Sequence, residues 1–295
     1  MYAPFGNLVT AMVTPFDNEG NVADDLVAGL VKRLVDTGTE TILVGGTTGE
    51  SPTLTEEELL HLVDKVRSEL PEDVRLIVGA GTNATDKSVK LARKIARKSV
   101  DGLLVVNPYY NKPTQAGLEA HFKAIAESVD VNILLYNIPG RTGVNCEPET
   151  IARVAEIDNI VGVKEASGSV EQAAQIRRLT PEDKFAVYSG DDGLTLPMLS
   201  VGAVGVVSVA SHLVGESIRQ MIESFFEGHV ENARNLHLSL IPLFKALFCR
   251  TNPIPVKYAL NRIGCPVGGH RLPLVALDHA GREIVDSALK SSGLI

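Results

Sequence analysis

The sequence has few of the residues that form a disulfide scaffold or a metal site. Its 295 residues include three cysteines, Cys146, Cys249 and Cys265, an odd number without paired spacing. Seven histidines are present, but none forms an HExxH pair. We therefore expect reduced cysteines that act as packing residues, with neither a disulfide nor a zinc site.

The sequence also lacks long apolar runs and, outside one predicted helix, basic stripes. No apolar run approaches the ~18 residues that a membrane span requires. The formal net charge is −8, and the one basic face lies on the predicted helix from Lys87 to Lys98. Residues Met1 to Leu8 lack the basic region and apolar core of a signal peptide. We expect a cytoplasmic protein with no membrane or nucleic-acid partner.

What the sequence does contain is a repeated alternation of apolar segments and segments with helical spacing. The predicted strands are 8–13, 41–44, 76–78, 102–106, 132–136, 160–164, 185–188 and 203–209. The predicted helices are 24–36, one from about residue 55, 83–98, 114–128, 147–156, 169–179, 191–200 and 215–228. This alternation indicates a parallel sheet, and eight units close into a barrel. We predict an α/β fold, with a TIM (β/α)8 barrel in residues 1–228 and an additional C-terminal helical domain in 229–295.

Polar side chains occur where several of these strands end. Lys164 ends the sixth strand, Tyr136 ends the fifth, and Thr47 and Thr48 follow the second. Barrel active sites lie at the carboxyl ends of the strands. We therefore expect these residues to face one end of the barrel.

Lys164 is the central candidate for chemistry. It follows the apolar run from Ile160 to Val163, and loss of water there would favour the neutral amine and lower its pKa. A neutral amine can attack a ketone to form a Schiff base. The alternative is a lysine that extends to solvent or pairs with Glu165.

Two loops have the composition of a site for a small anion. Gly45 to Glu50 places two hydroxyls and several backbone N–H groups before a helix, which suits a carboxylate, although a glycine-rich turn alone gives the same pattern. Arg141 could bind a second carboxylate through two parallel hydrogen bonds, or form a surface ion pair. Tyr136 could transfer protons, or be an ordinary core tyrosine.

Six segments of the chain resemble one enzyme family. They are Gly46 to Ser51, Tyr109 to Pro113, Tyr136 to Gly143, Val163 to Glu165, Ser189 to Asp192 and Asn252 to Lys257. From about residue 5 to its end, the chain resembles the dihydrodipicolinate synthase family. That family belongs to the pyruvate-dependent class I aldolases, together with N-acetylneuraminate lyase and 2-keto-3-deoxygluconate aldolase. Arg141 and the segment from Asn252 to Lys257 favour the synthase.

The resemblance implies a condensation of pyruvate with L-aspartate 4-semialdehyde in lysine and diaminopimelate biosynthesis, with neither metal nor organic cofactor. It implies that Lys164 forms a Schiff base with pyruvate, whose carboxylate Thr47 and Thr48 hold. Tyr136 would act as general acid and base, relayed through Thr48 to Tyr110 of a neighbouring subunit.

The resemblance also implies further binding residues and an assembly. Arg141 would bind the carboxylate of the semialdehyde and steady Tyr136, and the backbone of Gly190 and Val207 would line the pyruvate pocket. The implied assembly is a homotetramer, a dimer of tight dimers, with Tyr110 crossing the tight interface.

Inhibition by lysine is a further property on which the resemblance bears. In inhibited relatives the effector binds at the dimer interface near the positions of Ser51, Pro52, Glu56, Leu59, Asn83, Lys87 and Tyr109. Glu56 and Leu59 stand where sensitive bacterial members carry histidines. Lys87 replaces a carboxylate that would pair with the effector's ammonium. Because two cations repel, we predict weak or absent inhibition.

Two other functions remain as alternatives. The first is a sibling aldolase or lyase that acts on a sugar-derived 2-keto acid. The second is a dinucleotide-binding oxidoreductase or a catalytically inactive barrel, because Gly79 to Ala84 matches G-x-G-x-x-A. A dinucleotide site needs an acidic residue at the end of the next strand, whereas Asp101 precedes that strand, so we expect this turn only to allow close packing.

Overall fold

The eight strands of the predicted barrel are present. The computed structural model describes residues 2–295, and within them eight strands close into a parallel barrel in chain order. They are β1 (Leu8–Ala11), β2 (Thr41–Val44), β3 (Arg75–Gly79), β4 (Gly102–Val106), β5 (Asn132–Asn137), β6 (Ile160–Glu165), β7 (Ala186–Ser189) and β8 (Gly205–Ser208). The predicted TIM barrel is therefore confirmed.

The helices follow the strands as the alternation predicts. Twelve lie within residues 2–295: α1 (Asp24–Asp36), α2 (Glu56–Glu69), α3 (Thr85–Ile95), α4 (Gln115–Ala126), α5 (Pro139–Thr142), α6 (Pro148–Val154), α7 (Val170–Leu179), α8 (Thr195–Leu199), α9 (Ser211–Phe226), α10 (Val230–Ala246), α11 (Ile254–Arg262) and α12 (His279–Ser291). Three of them, α10, α11 and α12, come after the barrel helices, so the predicted C-terminal helices are confirmed.

By its internal contacts the chain divides into two compact units. Unit 1 consists of the N-terminal residues through Asn7 and of Arg75–Val207, and unit 2 of Leu8–Val74 and Ser208–Ile295. The division predicted from the sequence, 1–228 and 229–295, stays a prediction.

Strand pairing in unit 1 brings the candidate residues of neighbouring strands side by side. Tyr136 on β5 is in register with Lys164 on β6, and Lys164 is in register with Tyr188 on β7. Every residue of β6 and β7 is buried, as expected for a parallel sheet covered on both faces. The register therefore fixes which side chains surround the lysine.

The glycine-rich turn after β3 packs closely against β4. A Cβ atom at Gly81 would collide with the backbone of Val106. Asp101 lies before β4, where its carboxylate accepts a 2.7 Å hydrogen bond from the backbone N–H of Leu76. These contacts support the packing interpretation of this turn over a dinucleotide site.

Cysteines, metal ligands and membrane helices can be surveyed over the described residues. Cys146, Cys249 and Cys265 are all free. Between residues 2 and 295, no three or more His, Cys, Asp or Glu side chains are grouped so that they could hold a metal ion. Every helix of the described chain is too short or too polar to cross a membrane. The cytoplasmic location stays a prediction.

Candidate active site

Lys164, in unit 1, is buried inside the barrel. Only 6% of its surface is exposed, and its Nζ lies 4.2 Å from the centre of the Tyr136 ring. Burial lowers the pKa of the Lys164 amine to about 7, because water no longer stabilises the ammonium. The Asp192 carboxylate opposes this shift, and the Arg141 guanidinium adds to it. Near neutral pH, a large fraction of this amine is therefore a free nucleophile.

Tyr136 and Tyr188 are the two buried tyrosines beside this amine, and they differ in their surroundings. Tyr188 is fully buried, and its hydroxyl accepts a 3.1 Å hydrogen bond from the backbone N–H of Phe5. Tyr136 is 5% exposed and presents its ring to the Lys164 amine. Tyr188 is thus part of the core packing, while Tyr136 contacts the Lys164 amine directly.

Arg141, predicted to lie in a loop, lies on a short helix. Pro139 occupies the start of α5, and Gly143 ends it with a φ of 76°, in the left-handed region. Proline suits the first helical position and glycine the position after the end, so these residues define a single helical turn. Arg141 is exposed on this turn, yet its charge affects the pKa of the Lys164 amine.

Glu165, next to Lys164 in sequence, does not pair with it. Side chains alternate between the two faces of a strand, so the two residues point in opposite directions. The Glu165 carboxylate accepts hydrogen bonds from Asn137 Nδ2 (3.0 Å), the backbone N–H of Ser167 (2.6 Å) and Gln172 Nε2 (3.1 Å). The ion pair considered as an alternative for Lys164 is therefore wrong. This network anchors the ends of β5 and β6 behind the amine.

Asp192 and Gly190 follow β7 and complete the surroundings of Lys164 in unit 1. Asp192 is 3% exposed, and its negative charge favours the ammonium form of Lys164. A Cβ atom at Gly190 would lie 3.2 Å from Lys164 Cγ and 2.6 Å from Ala166 Cβ, so only glycine fits there. The motif containing Asp192 was noticed in the sequence, but nothing there indicated that its carboxylate acts on the lysine.

The loop after β2 belongs to unit 2 and carries Thr47 and Thr48. Thr48 is 3% exposed, and its Oγ1 accepts a 2.9 Å hydrogen bond from Nδ2 of Asn252. The loop is held by Thr14, whose hydroxyl donates to the Gly49 carbonyl at 2.6 Å. It closes as a tight turn in which the backbone N–H of Glu50 donates to the Thr47 carbonyl. The two threonines are therefore displayed on a fixed backbone.

Glu50 ends this loop in a buried ion pair with Lys257. Their side chains are 1% and 0% exposed, and Lys257 Nζ lies 2.6 Å from Glu50 Oε1. Lys257 also donates to the Gly269 carbonyl (2.6 Å) and lies 4.2 Å from the centre of the Phe16 ring. The second Glu50 oxygen accepts from the backbone N–H of Arg271 at 3.2 Å. Every partner of this pair comes from the C-terminal segment or from the chain after β1.

Tyr110 and Val207, the remaining candidates, lie in very different environments. Val207 is part of β8 and is 1% exposed. Tyr110 is 89% exposed and has a φ of 76°, a conformation that is uncommon for a bulky residue. Its backbone N–H donates to the Thr142 carbonyl at 3.3 Å. The aromatic ring of Tyr110 is thus held in solvent, away from the core of its own chain.

Comparisons with known proteins point to one enzyme family over nearly the full length of the chain. The sequence profile of the Dihydrodipicolinate synthetase family matches residues 4–292. A 4-hydroxy-tetrahydrodipicolinate synthase of Cyanothece sp. (strain PCC 7425 / ATCC 29141) is 53% identical over 292 residues, which cover 99% of each chain.

Two solved structures superpose closely on this fold. The lysine-bound DHDPS of Cyanidioschyzon merolae has a TM-score of 0.97 and 46% identity, with 100% of each chain covered. The chloride-inhibited dihydrodipicolinate synthase of Acinetobacter baumannii, in complex with pyruvate, has a TM-score of 0.95 and 38% identity, covering 99% of this chain and 100% of that one. This chain therefore belongs to the dihydrodipicolinate synthetase family and is a lyase.

Proposed function

We propose that this lyase condenses pyruvate with L-aspartate 4-semialdehyde through a Schiff base on Lys164. The observation that carries the proposal is the buried amine at the end of β6, whose pKa is about 7. Membership of the family supports the reaction class, and a relative of 38% identity is described in complex with pyruvate. These observations favour the synthase over a sibling aldolase and over a dinucleotide-binding enzyme.

The proposed reaction begins with the neutral amine of Lys164. It attacks the keto carbon of pyruvate, and loss of water leaves an iminium. The iminium withdraws electrons, so a methyl proton leaves and an enamine forms. The enamine carbon then adds to the aldehyde of the second substrate, the amine of that substrate closes the ring, and hydrolysis or transimination releases Lys164.

Tyr136 and the two threonines have the proposed roles of proton transfer and carboxylate binding. Thr47 and Thr48 would bind the carboxylate of pyruvate, and their fixed backbone suits this role because little ordering is required on binding. Tyr136 would transfer protons, relayed through Thr48 to Tyr110 of a neighbouring subunit. Contact of the Tyr136 ring with the Lys164 amine supports a role at the reacting atoms.

The remaining proposed residues bind substrate or complete the assembly. Arg141 would bind the carboxylate of the semialdehyde, and the backbone of Gly190 and Val207 would line the pyruvate pocket. We also propose a homotetramer in which Tyr110 enters the site of its neighbour. Support comes from the Tyr110 ring, which is exposed and held by a left-handed backbone.

Borohydride reduction in the presence of pyruvate tests the Schiff base. We expect the intact protein to gain the mass of one reduced pyruvate, and peptide mapping to locate it on Lys164. Lys164→Met should gain nothing, whereas Lys90→Met, at an exposed lysine of α3, should be labelled like the wild type. Labelling of another lysine, or no labelling, would refute the proposal.

Substrate profiling tests the second substrate. Arg141→Ala should lower kcat/KM for the semialdehyde by ~100-fold, because a charge-assisted pair with a carboxylate is worth about 1.5–3 kcal/mol. Borohydride labelling with pyruvate alone should remain. If a sugar-derived aldehyde is used better than the semialdehyde, the sibling aldolase is the correct function.

Weak or absent inhibition by lysine is also proposed. Lys87 is exposed on α3 and Leu59 is buried on α2, so neither offers the effector ammonium an anionic partner. The Cyanidioschyzon merolae relative is described with lysine bound, which makes a titration informative. Lys87→Glu should strengthen inhibition by on the order of tenfold, since reversing one charge is worth ~1–2 kcal/mol, whereas Lys90→Glu should not. Half-inhibition of the wild type at low-millimolar lysine would contradict the proposal.

A further inference from the structure

Asn252 makes a single buried contact that bears on the proposed chemistry. It lies between α10 and α11, is 6% exposed, and its Nδ2 donates to Thr48 Oγ1 at 2.9 Å. Its Oδ1 is buried and accepts no hydrogen bond from residues 2–295. A purely structural asparagine would be expected to use both polar atoms, as Asn261 does with Gly268 and Val267. The Asn252 side chain is directed at Thr48 alone.

The contact determines which way the Thr48 hydroxyl points. A hydroxyl has one proton and two lone pairs, whereas an amide nitrogen only donates. Because Asn252 Nδ2 occupies one lone pair, the Thr48 proton must point elsewhere. The hydroxyl is thereby left as a donor, with one lone pair still available to accept, which is the state that a proton relay requires.

The segment that carries Asn252 is itself fixed to the same loop. Five residues after Asn252, Lys257 forms the buried ion pair with Glu50, and Glu50 is two residues after Thr48. The 252–257 segment is thus joined to the loop at two points, a hydrogen bond and an ion pair. This double attachment holds the Asn252 amide in place relative to the hydroxyl.

We infer that Asn252 is a positioning residue for the reaction: it orients the Thr48 hydroxyl as the proton donor of the relay. The inference rests on the proposed function. It assigns Asn252 a role in the rate of proton transfer and none in whether the Lys164 amine can form the Schiff base. Removing the amide should therefore slow the steps that move protons, while Lys164 still captures pyruvate to the same extent when pyruvate is saturating.

A double-mutant cycle with Thr48 tests this assignment. Asn252→Ala should lower kcat by about tenfold and slow deuterium exchange of the pyruvate methyl group in D2O to a similar degree, since one general acid–base contact contributes about 10²–10⁴-fold and only its orientation is lost. The extent of borohydride labelling at saturating pyruvate, measured at the end of the reaction, should stay within about twofold of the wild type. Thr48→Val, which removes the hydroxyl, should mask the effect, so that the double variant is no slower than Thr48→Val alone.

Two further variants separate orientation from structural damage. Asn252→Asp keeps the size of the side chain but only accepts hydrogen bonds when ionised, so it should draw the Thr48 proton towards itself and be at least as slow as Asn252→Ala. Asn261→Ala, on α11, should show no coupling with Thr48→Val. Thermal unfolding of each variant reports whether it is folded.

The possible outcomes distinguish this inference from the proposed function. If Asn252→Ala keeps its wild-type exchange rate, if Asn252→Asp is fully active, or if the losses of Asn252→Ala and Thr48→Val multiply, the inference is overturned while the Schiff base stands. If the wild type is not labelled by pyruvate and borohydride, the proposed function fails, and the inference fails with it.

Discussion

Replacing Lys164 by methionine should stabilise the fold while removing the proposed nucleophile. The folded state holds the pKa of this amine at about 7, against 10.5 for an exposed lysine. Burial of the protonated amine lowers the free energy of unfolding. At pH values between these two pKa values the unfolded chain binds more protons than the folded one, so this cost falls as the pH rises. The linkage relation gives a cost of ~4 kcal/mol at about pH 7 and ~2 kcal/mol at about pH 9.

Methionine fills a similar volume without a charge, so Lys164→Met should recover most of this cost. The variant loses the cation–π contact between the Lys164 ammonium and the Tyr136 ring, which reduces the gain in stability by only ~1 kcal/mol. Urea unfolding at the two pH values measures the difference from the wild type. Lys90→Met, at a lysine whose side chain is 67% exposed, should change stability by less than ~0.5 kcal/mol at either pH. If Lys164→Met is no more stable than the wild type, or if its advantage does not shrink between pH 7 and pH 9, the buried amine is not desolvated as argued.

Three further predictions concern other titrations and the buried ion pair. At limiting pyruvate, the rate of borohydride labelling should rise about tenfold from pH 6 to pH 8 and then level off, whereas an amine of ordinary pKa would give about a hundredfold rise over the same range. Lys257→Met should destabilise the protein by ~3–5 kcal/mol in urea, because Glu50 stays buried without its partner, and adding Glu50→Gln should restore part of the loss. Burial lowers the pKa of His212 to about 4, so the unfolding free energy should fall by up to ~3 kcal/mol between about pH 6.5 and pH 4, and less steeply in His212→Asn.

Much of the fold could be predicted from local patterns, because apolar periodicity and capping act over short distances. The predicted strands 41–44 and 102–106 and the helix 24–36 agree with β2, β4 and α1. A helix was predicted from about residue 55, and Thr55 and Glu58 form a capping box at the start of α2. Where such signals are weak, helix limits are not predicted. The first turns of α10 are mostly exposed and polar, so apolar spacing gives no signal for where this helix begins.

Local sequence patterns predicted less of the candidate active site than of the fold. Lys164 was recognisable because a lysine at the end of an apolar strand is unusual in any fold. Asn252 belongs to a segment that the family resemblance singled out, but its contact with Thr48 was not predictable, because the two residues are 204 positions apart and neither sequence neighbourhood indicates the pairing. Asp192 acts on Lys164 through its charge, which depends on how close the folded chain brings the two residues. Local sequence therefore identified the buried lysine but not the side chains that lie near it or near Thr48 in the folded chain.

The ion pair of Glu50 with Lys257 also determines when the loop after β2 can fold during translation. The two residues are 207 positions apart. At a synthesis rate of ~5–20 residues per second, Lys257 is therefore added on the order of 10–40 s after Glu50. Until then the loop after β2 has no buried cation to draw Glu50 inward. The loop after β2, which carries Thr47 and Thr48, should reach its final form only after synthesis is almost complete. Catalytic activity would then be delayed until the end of translation.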